Sequence, residues 1–290
     1  MKPIEPRSPI HGAAALSRIV ASAVALAVAA GCAGHSSLER GTDRAAGGIS
    51  SSLDGAVTEE RNFVLPVDGS VDVDLETFAG DVVIRGGRGT GGEARMQVVV
   101  SARHGSDRKE EGAASLKDVE VRAEVRRGGD VPVLVMRCTT AHDEAWLHRT
   151  DIDIELPELR RARVRTRDGK VFVFENRGGC SVETVDGEIR MFTPWAISED
   201  VTLVTRGAQV VLRAFTGTCG TFDVECVNGD VKSRVEAGDW RILDRRNDHD
   251  TLHATLGTCP NRILIRNADA PVRISIVKDP MDYGSMFASP

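Results

Sequence analysis

Aromatic side chains make up only 4% of this 290-residue chain, with a single tyrosine among them, while glycine supplies 29 residues. So few large rings exclude a core built on aromatic stacking, and so much glycine works against a helical bundle, because glycine costs about 1 kcal/mol relative to alanine inside a helix. The core must come from Val, Ile and Leu, which favour strands joined by tight turns. Excess basic charge is also missing. The net charge is −6, and residues 1–31 hold Lys2, Arg7 and Arg18 against Glu5, so −8 falls on the remainder. Nucleic acid is therefore not an expected partner, since its binding rests on clustered Lys and Arg neutralising phosphates. The chain also lacks an apolar run of the roughly 20 residues that a bilayer-spanning helix needs. It has no Gly-x-Ser-x-Gly elbow, phosphate loop, Cys-x-x-Cys pair or His-Glu-x-x-His motif, so no catalytic residue and no cofactor is expected. With 41% apolar residues, 290 residues still suffice for one large all-β domain or two ordinary ones.

What is present begins at the N-terminus. Lys2, Arg7 and Arg18 precede the uncharged run Ile19 to Ala30, twelve residues long, which is the length of a signal-peptide apolar region. It ends in Ala29-Ala30-Gly31-Cys32, which resembles the lipobox of bacterial lipoproteins, with Ala29 where a branched aliphatic is usual. The expectation is a signal peptide over 1–31 and an acylated Cys32 as the mature N-terminus, with simple secretion or a retained anchor as alternatives. Residues 32–60 are rich in Gly, Ser and Ala with no apolar period, and read as a lipid-anchored tether. As a flexible coil, the 28 residues after Cys32 would span about 30 Å.

From residue 61 the chain repeats itself. Thr77-Phe78-Ala79-Gly80-Asp81-Val82-Val83-Ile84 recurs as Thr166-Arg167-Asp168-Gly169-Lys170-Val171-Phe172-Val173 and as Thr184-Val185-Asp186-Gly187-Glu188-Ile189-Arg190-Met191. Thr205 to Leu212 puts Ala208 in the glycine position, and Cys226 to Ser233 replaces Thr with Cys. The steps between the later copies are 18, 21 and 21 residues. Asp-Gly and Asn-Gly are strong turn signals and the aliphatics that follow have period two, so each copy reads as strand, turn, strand. A step near 20 residues predicts an all-β fold of β-solenoid type, with a β-sandwich as the alternative. The repeat domain is expected over 61–277, followed by a tail at 278–290. Within it, 101–150 reads as a polar insertion plus a hairpin around Gly128-Gly129.

Each set of repeats is led in by a Leu-Pro pair, Leu65-Pro66 and Leu156-Pro157, expected to close a strand because proline gives no ladder donor. On these pairs and the serial Thr-x-x-Gly-x-Val turns, 61–100 and 150–277 resemble the bacterial "putative adhesin" family of β-strand-repeat domains of unknown function. The resemblance implies an exported or surface β-solenoid with an adhesin role, and supplies no catalytic residues.

Five cysteines follow Cys32. Cys180, Cys219 and Cys259 sit in matching contexts at spacings of 39 and 40 residues. If two repeats made one turn of the stack, these positions would lie about 4.8 Å apart and could form a disulfide, 180–219 or 219–259; if one repeat made a turn, they would lie about 10 Å apart. Buried free thiols are the favoured reading, with Cys226 filling a Thr position. Arg161, Arg163, Arg165 and Arg167 alternate on one face as a basic stripe that could grip an anionic polymer. Asp151, Asp153 and Glu155 alternate likewise on the preceding strand, and structural pairing with them is favoured over ligand binding. His249 and His253 with Asp244, Asp248 and Asp250 fall in a polar loop, and His142 and His148 lack neighbouring ligands, so no metal site is expected. Asp186, Asp230 and Glu188 could stack as a carboxylate cluster.

The expected function is a cell-envelope lipoprotein, membrane-attached through its lipid, that displays a non-enzymatic binding or structural surface to an envelope polymer or protein. The alternative is an envelope glycan-processing enzyme on the same scaffold, which several carboxylates converging in one groove would favour.

Overall fold

Alternating side chains lay out the strands: along Ser70–Thr77, Val71, Val73, Leu75 and Thr77 are buried while Asp72, Asp74 and Glu76 face outward. The structure, a computed structural model, describes residues 39–40, 50–51, 56–88, 92–243 and 249–282, all within the unit Ser36–Pro290. Cys32 and residues 1–31, where a signal peptide is expected, lie outside the described residues, as do Asp244 and Asp248.

The strands run as β1 (Glu39–Arg40), β2 (Ser50–Ser51), β3 (Ala56–Pro66), β4 (Ser70–Thr77), β5 (Val82–Arg85), β6 (Glu93–Arg103) and β7 (Val119–Arg126). Next come β8 (Val133–Thr140), β9 (His148–Glu155), β10 (Glu158–Thr166), β11 (Val171–Phe174), β12 (Cys180–Glu183), β13 (Ile189–Thr193) and β14 (Val201–Val204). The last are β15 (Val210–Phe215), β16 (Gly220–Cys226), β17 (Val231–Val235), β18 (Trp240–Ile242), β19 (Thr251–Leu256), β20 (Arg262–Asn267) and β21 (Val272–Val277). One short helix, α1 (Lys109–Ser115), joins β6 to β7, and no helix among the described residues is long and apolar enough to cross a membrane.

An 11-stranded sheet orders these as β1-β7-β8-β4-β10-β12-β14-β20-β16-β19-β18, and a 10-stranded sheet as β17-β21-β15-β13-β11-β5-β9-β6-β3-β2. Both are mixed and neither closes into a barrel. The fold is all-β, and two sheets around one core is the layering of the sandwich alternative. Inside that layering the chain crosses from the first sheet to the second in coils, β10 to β11, β12 to β13 and β14 to β15, each paired in parallel with the next. The coil β4 to β5 lies on one side of these and β20 to β21 on the other, again parallel.

Parallel stacking in register makes each core position a column. Val82, Val171, Ile189, Val210 and Val272 are successive rungs in the second sheet, all at 0% exposure. Burying such a side chain contributes about 1.5–3 kcal/mol, so the columns carry the fold.

The order of coils corrects the sequence reading. The Thr205 and Cys226 copies are not neighbours, because the C-terminal coil β20 to β21 inserts between them, pairing with β14 and with β16. That coil is a sixth copy, Asn267-Ala268-Asp269-Ala270-Pro271-Val272-Arg273-Ile274, which replaces both Thr and Gly. At the other end β4 to β5 inserts in the same way between the coils β8 to β9 and β10 to β11. The hairpin expected around Gly128-Gly129 is β7 with β8, and both Leu-Pro pairs close strands, β3 and β9. Residues 56–60, read as the end of the tether, are paired with β6, and Glu39–Arg40 and Ser50–Ser51 pair with β7 and β3.

The repeat signature has a structural cause. The Thr position is buried at the corner where each coil changes sheet, and at Thr166 and Thr205 the hydroxyl gives a hydrogen bond to a turn carbonyl: Thr166 Oγ1 to Asp168 O at 2.9 Å, Thr205 Oγ1 to Gly187 O at 2.8 Å. Asn267 and Cys226 serve Ala270 O from the same position. The glycine lies against the backbone of the adjacent coil. A Cβ on Gly187 would stand 1.8 Å from Gly169 O, which no side chain could tolerate without the coils parting.

Candidate functional site

The outward residues of β4, β10, β12 and β14 form the floor of an open groove of about 700 Å³ on the first sheet. Arg161 and Arg163, Asp72 and Asp74, Ser181 and Thr202 line it, with Ser198 to Asp200 and Pro260-Asn261 along one wall. β10 brings its arginines here because a bulge between Leu159 and Arg161 resets the alternation, leaving Arg161, Arg163 and Arg165 outward while Ala162, Val164 and Thr166 face the core.

The acids that face this stripe are not those expected. Arg161, Arg163 and Arg165 stand opposite Asp72, Asp74 and Glu76 of β4. Asp151, Asp153 and Glu155 belong to β9 in the other sheet, where Asp153 binds Arg85 and Asp151 binds Arg149. The coil carries the chain across the core between β9 and β10, so strands adjacent in sequence are not partners. Asp72 is held by Arg160 through Nε at 2.9 Å and Nη2 at 3.1 Å, Asp74 by Arg137 at 2.8 Å, and Glu199 by Arg161 Nε at 2.6 Å. Arg165 reaches Glu183 at 3.5 Å. Arg163, exposed at the centre of the floor, and Arg167, in the turn after β10, have no ion pair among the described residues.

Glu199 closes the groove wall. Its bond from Arg161 holds the carboxyl below the ordinary carboxylate range; burial opposes this and the Gly179 N–H adds to it. A depressed carboxylate contributes stability above its unfolded value of 4.5 that is lost as pH falls through the folded value. Urea unfolding at pH 7 and at about pH 3.5 should therefore show a smaller acid-induced loss for Glu199→Gln than for the unaltered chain.

A second groove, at the Asp-Gly corners, collects carboxylates. Asp81, Asp151, Asp168, Asp186 and Glu188 line it together with Arg149, Lys170 and Arg190. Asp81 and Asp151 share Arg149, and Glu188 binds Arg190 at 2.5 Å. Asp168 and Asp186 are bridged rungs of adjacent coils. Asp230, expected to stack with Asp186 and Glu188, lies in the outermost coil and binds Lys232 at 2.7 Å.

Cys219 and Cys259 form a disulfide with Cα atoms 5.5 Å apart, in place of the free thiols favoured from sequence. One repeat makes one coil, yet the two meet because they precede β16 and β20, which the inserted coil makes neighbours. Cys180, Cys138 and Cys226 are buried thiols, and burial pushes Cys180 up to about 12, which suppresses thiolate chemistry.

No family model and no curated protein matches the chain. Among solved structures it is similar to a "putative cell adhesion protein" from Clostridium sporogenes, at 12% identity and TM-score 0.47 over 76% of this chain and 99% of that one. It is also similar to a "putative adhesin" from Bacteroides fragilis, at 10% identity and TM-score 0.26 over 78% and 100% of the two chains. A third, a "putative adhesin" from Parabacteroides merdae, has 6% identity and TM-score 0.25 over 76% and 80%.

The histidines fall in two places. His253 lies outward on β19 and His249 in the turn before it, and neither belongs to a cluster of ligand-bearing side chains among the described residues. His142 and His148, by contrast, pack with His104, which sequence reasoning passed over because its partners come from distant segments.

Proposed function

We propose that the chain is a non-enzymatic display module of the cell envelope, a two-faced solenoid held at a membrane by acylated Cys32 and presenting the groove on β4, β10, β12 and β14 to an anionic envelope polymer. The observation that carries this reading is Arg163. It stands exposed on the groove floor, where Asp72, Asp74 and Glu199 are paired with Arg160, Arg137 and Arg161, so an extended polyanion lying along the floor meets an available guanidinium. The floor is rigid because it is made of paired strands, and a rigid surface loses little conformational entropy on binding. An adhesin-like role follows from an exported domain with such a face.

The test is retention of the full chain on immobilised polygalacturonate and on dextran, a neutral control. Retention on the acidic polymer alone, falling as salt rises and reduced about 10-fold by Arg163→Glu, is the expected result. Equal retention of the variant would remove the groove from the account.

One observation favours the enzyme alternative, the convergence of five carboxylates at the Asp-Gly corners. Release of reducing ends from a polysaccharide, lost in Asp168→Asn and Asp186→Asn, would establish it; no release leaves the display reading in place.

A further inference from the structure

His104 is brought inward where β6 ends, with Gly105 turning the chain at φ 92 before α1. Its ring is fully buried. Ser115, at the end of α1, donates its hydroxyl proton to Gly112 O at 2.9 Å, and the same oxygen lies 3.0 Å from His104 Nε2 and 2.9 Å from His148 Nε2. A hydroxyl has one proton to give, so both imidazoles must donate to it through Nε2–H. In the neutral ring this tautomer leaves Nδ1 of His104 as a lone pair.

This Nδ1 has no hydrogen-bond partner among the described residues, although it is buried. Facing it at 3.7 Å is Glu111 Oε1, another acceptor. Two acceptors cannot bond to each other, and Glu111 Oε1 is served by Arg108 Nη2, so the orphaned atom is Nδ1, which a cation shared with Oε1 would satisfy. The separation is too long for a hydrogen bond. It is close to the spacing of about 3.4 Å at which two ligands, each about 2.1 Å from a tetrahedral ion, would stand. Glu144 supplies a third oxygen, and the three ligand atoms lie within 4.8 Å of one another.

We propose that His104, Glu111 and Glu144 form a binding site for a first-row divalent cation. One imidazole and two carboxylates suit Zn²⁺ or a neighbouring metal better than the all-oxygen sets that Ca²⁺ and Mg²⁺ take. The outer shell is in place: Ser115 orients His104 through Nε2, as the second nitrogen of a ligating histidine is normally held. His142 flanks the site with its ring centroid 5.4 Å from that of His104 and 4.8 Å from that of His148, its Nδ1 accepting the Glu144 N–H at 3.1 Å. Arg108 is the competing cation. It binds both oxygens of Glu111, Oε1 through Nη2 and Oε2 through Nε at 2.7 Å, and approaches Glu144 Oε2 at 3.5 Å, so it must yield an oxygen of each when the metal enters. The three ligands come from the β6 end, α1 and the β8–β9 connection, so a bound ion would tie the polar insertion to the rim of the sheets.

Zn²⁺ titration of the chelator-treated full chain, in competition with a chromophoric chelator, tests the site. One equivalent should bind with a dissociation constant of about 1 μM or tighter and raise the melting temperature. Removing an outer-shell partner alone costs roughly 10–100-fold in affinity, so His104→Ala, which removes a ligand, should cost about 100-fold or more. Because His104 is buried, the rim variants Glu111→Gln and Glu144→Gln, checked for an unchanged circular dichroism spectrum, carry the same test without risk to the fold. Failure of the unaltered chain to bind saturably would overturn the proposal, and so would binding that both rim variants leave unchanged.

Discussion

Gly169→Ala is expected to lower the thermal midpoint by about 10 °C, and more than any single truncation on the outer faces. Gly169 has φ +114, where L side chains are strained, and an added Cβ would stand 2.1 Å from Gly80 O and 2.4 Å from its carbonyl carbon. The obstructing atoms are backbone of the neighbouring coil, pinned by the hydrogen bonds Gly80 N to Asp168 O at 2.9 Å and Val82 N to Lys170 O at 2.7 Å. A rotamer change cannot relieve such a clash. The strain costs about 1–3 kcal/mol and the overpacking about as much again, and a domain of this size loses roughly 2–4 °C per kcal/mol. Gly69 provides the control, because it too has positive φ, +71, but nothing lies within 4 Å of its would-be Cβ. Gly69→Ala should cost only the backbone strain, about 1 kcal/mol. Equal melting temperatures for the two variants would contradict the close stacking of coils.

Removal of the Cys219–Cys259 disulfide by the double substitution to serine is expected to cost about 4 kcal/mol, the chain-entropy value for a loop of this length. The bond joins the outermost coil to the inserted one, at 40 residues of sequence separation. Its loss should therefore act locally, with amide hydrogen exchange rising across 220–256 and the columns through β10 to β13 keeping their protection. Cys180→Ala, at a buried thiol outside any disulfide, should show no such regional pattern. Uniform loss of protection along the whole stack would mean that the disulfide does not act locally on the outermost coil.

Much of the fold could be read from residue order. The Thr, the turn glycine and the period-two aliphatics are each dictated by a local need, a hydroxyl to satisfy a corner carbonyl, a backbone without Cβ and a side chain on the core face, and local needs leave local signatures. The order of coils left no such trace. Nothing in the strand-turn-strand pattern says which coil lies beside which, and the sixth copy was hidden because Asn267 satisfies its corner through an amide in place of a hydroxyl. The charge partners of Arg161 and Arg163 were misplaced for the same reason: β9 and β10 are close in sequence but lie in opposite sheets. His104, Glu111 and Glu144 come together only once β6, α1 and the β8–β9 connection have folded, so their spacing carries no motif.

Intact mass of the membrane-extracted chain, taken with denaturing alkylation before and after reduction, tests the envelope-display account most directly. The account predicts a chain that begins at an acylated Cys32, takes three alkyl groups at Cys138, Cys180 and Cys226, and takes two more, at Cys219 and Cys259, once reduced. A chain without lipid mass, recovered from the soluble fraction, would contradict it.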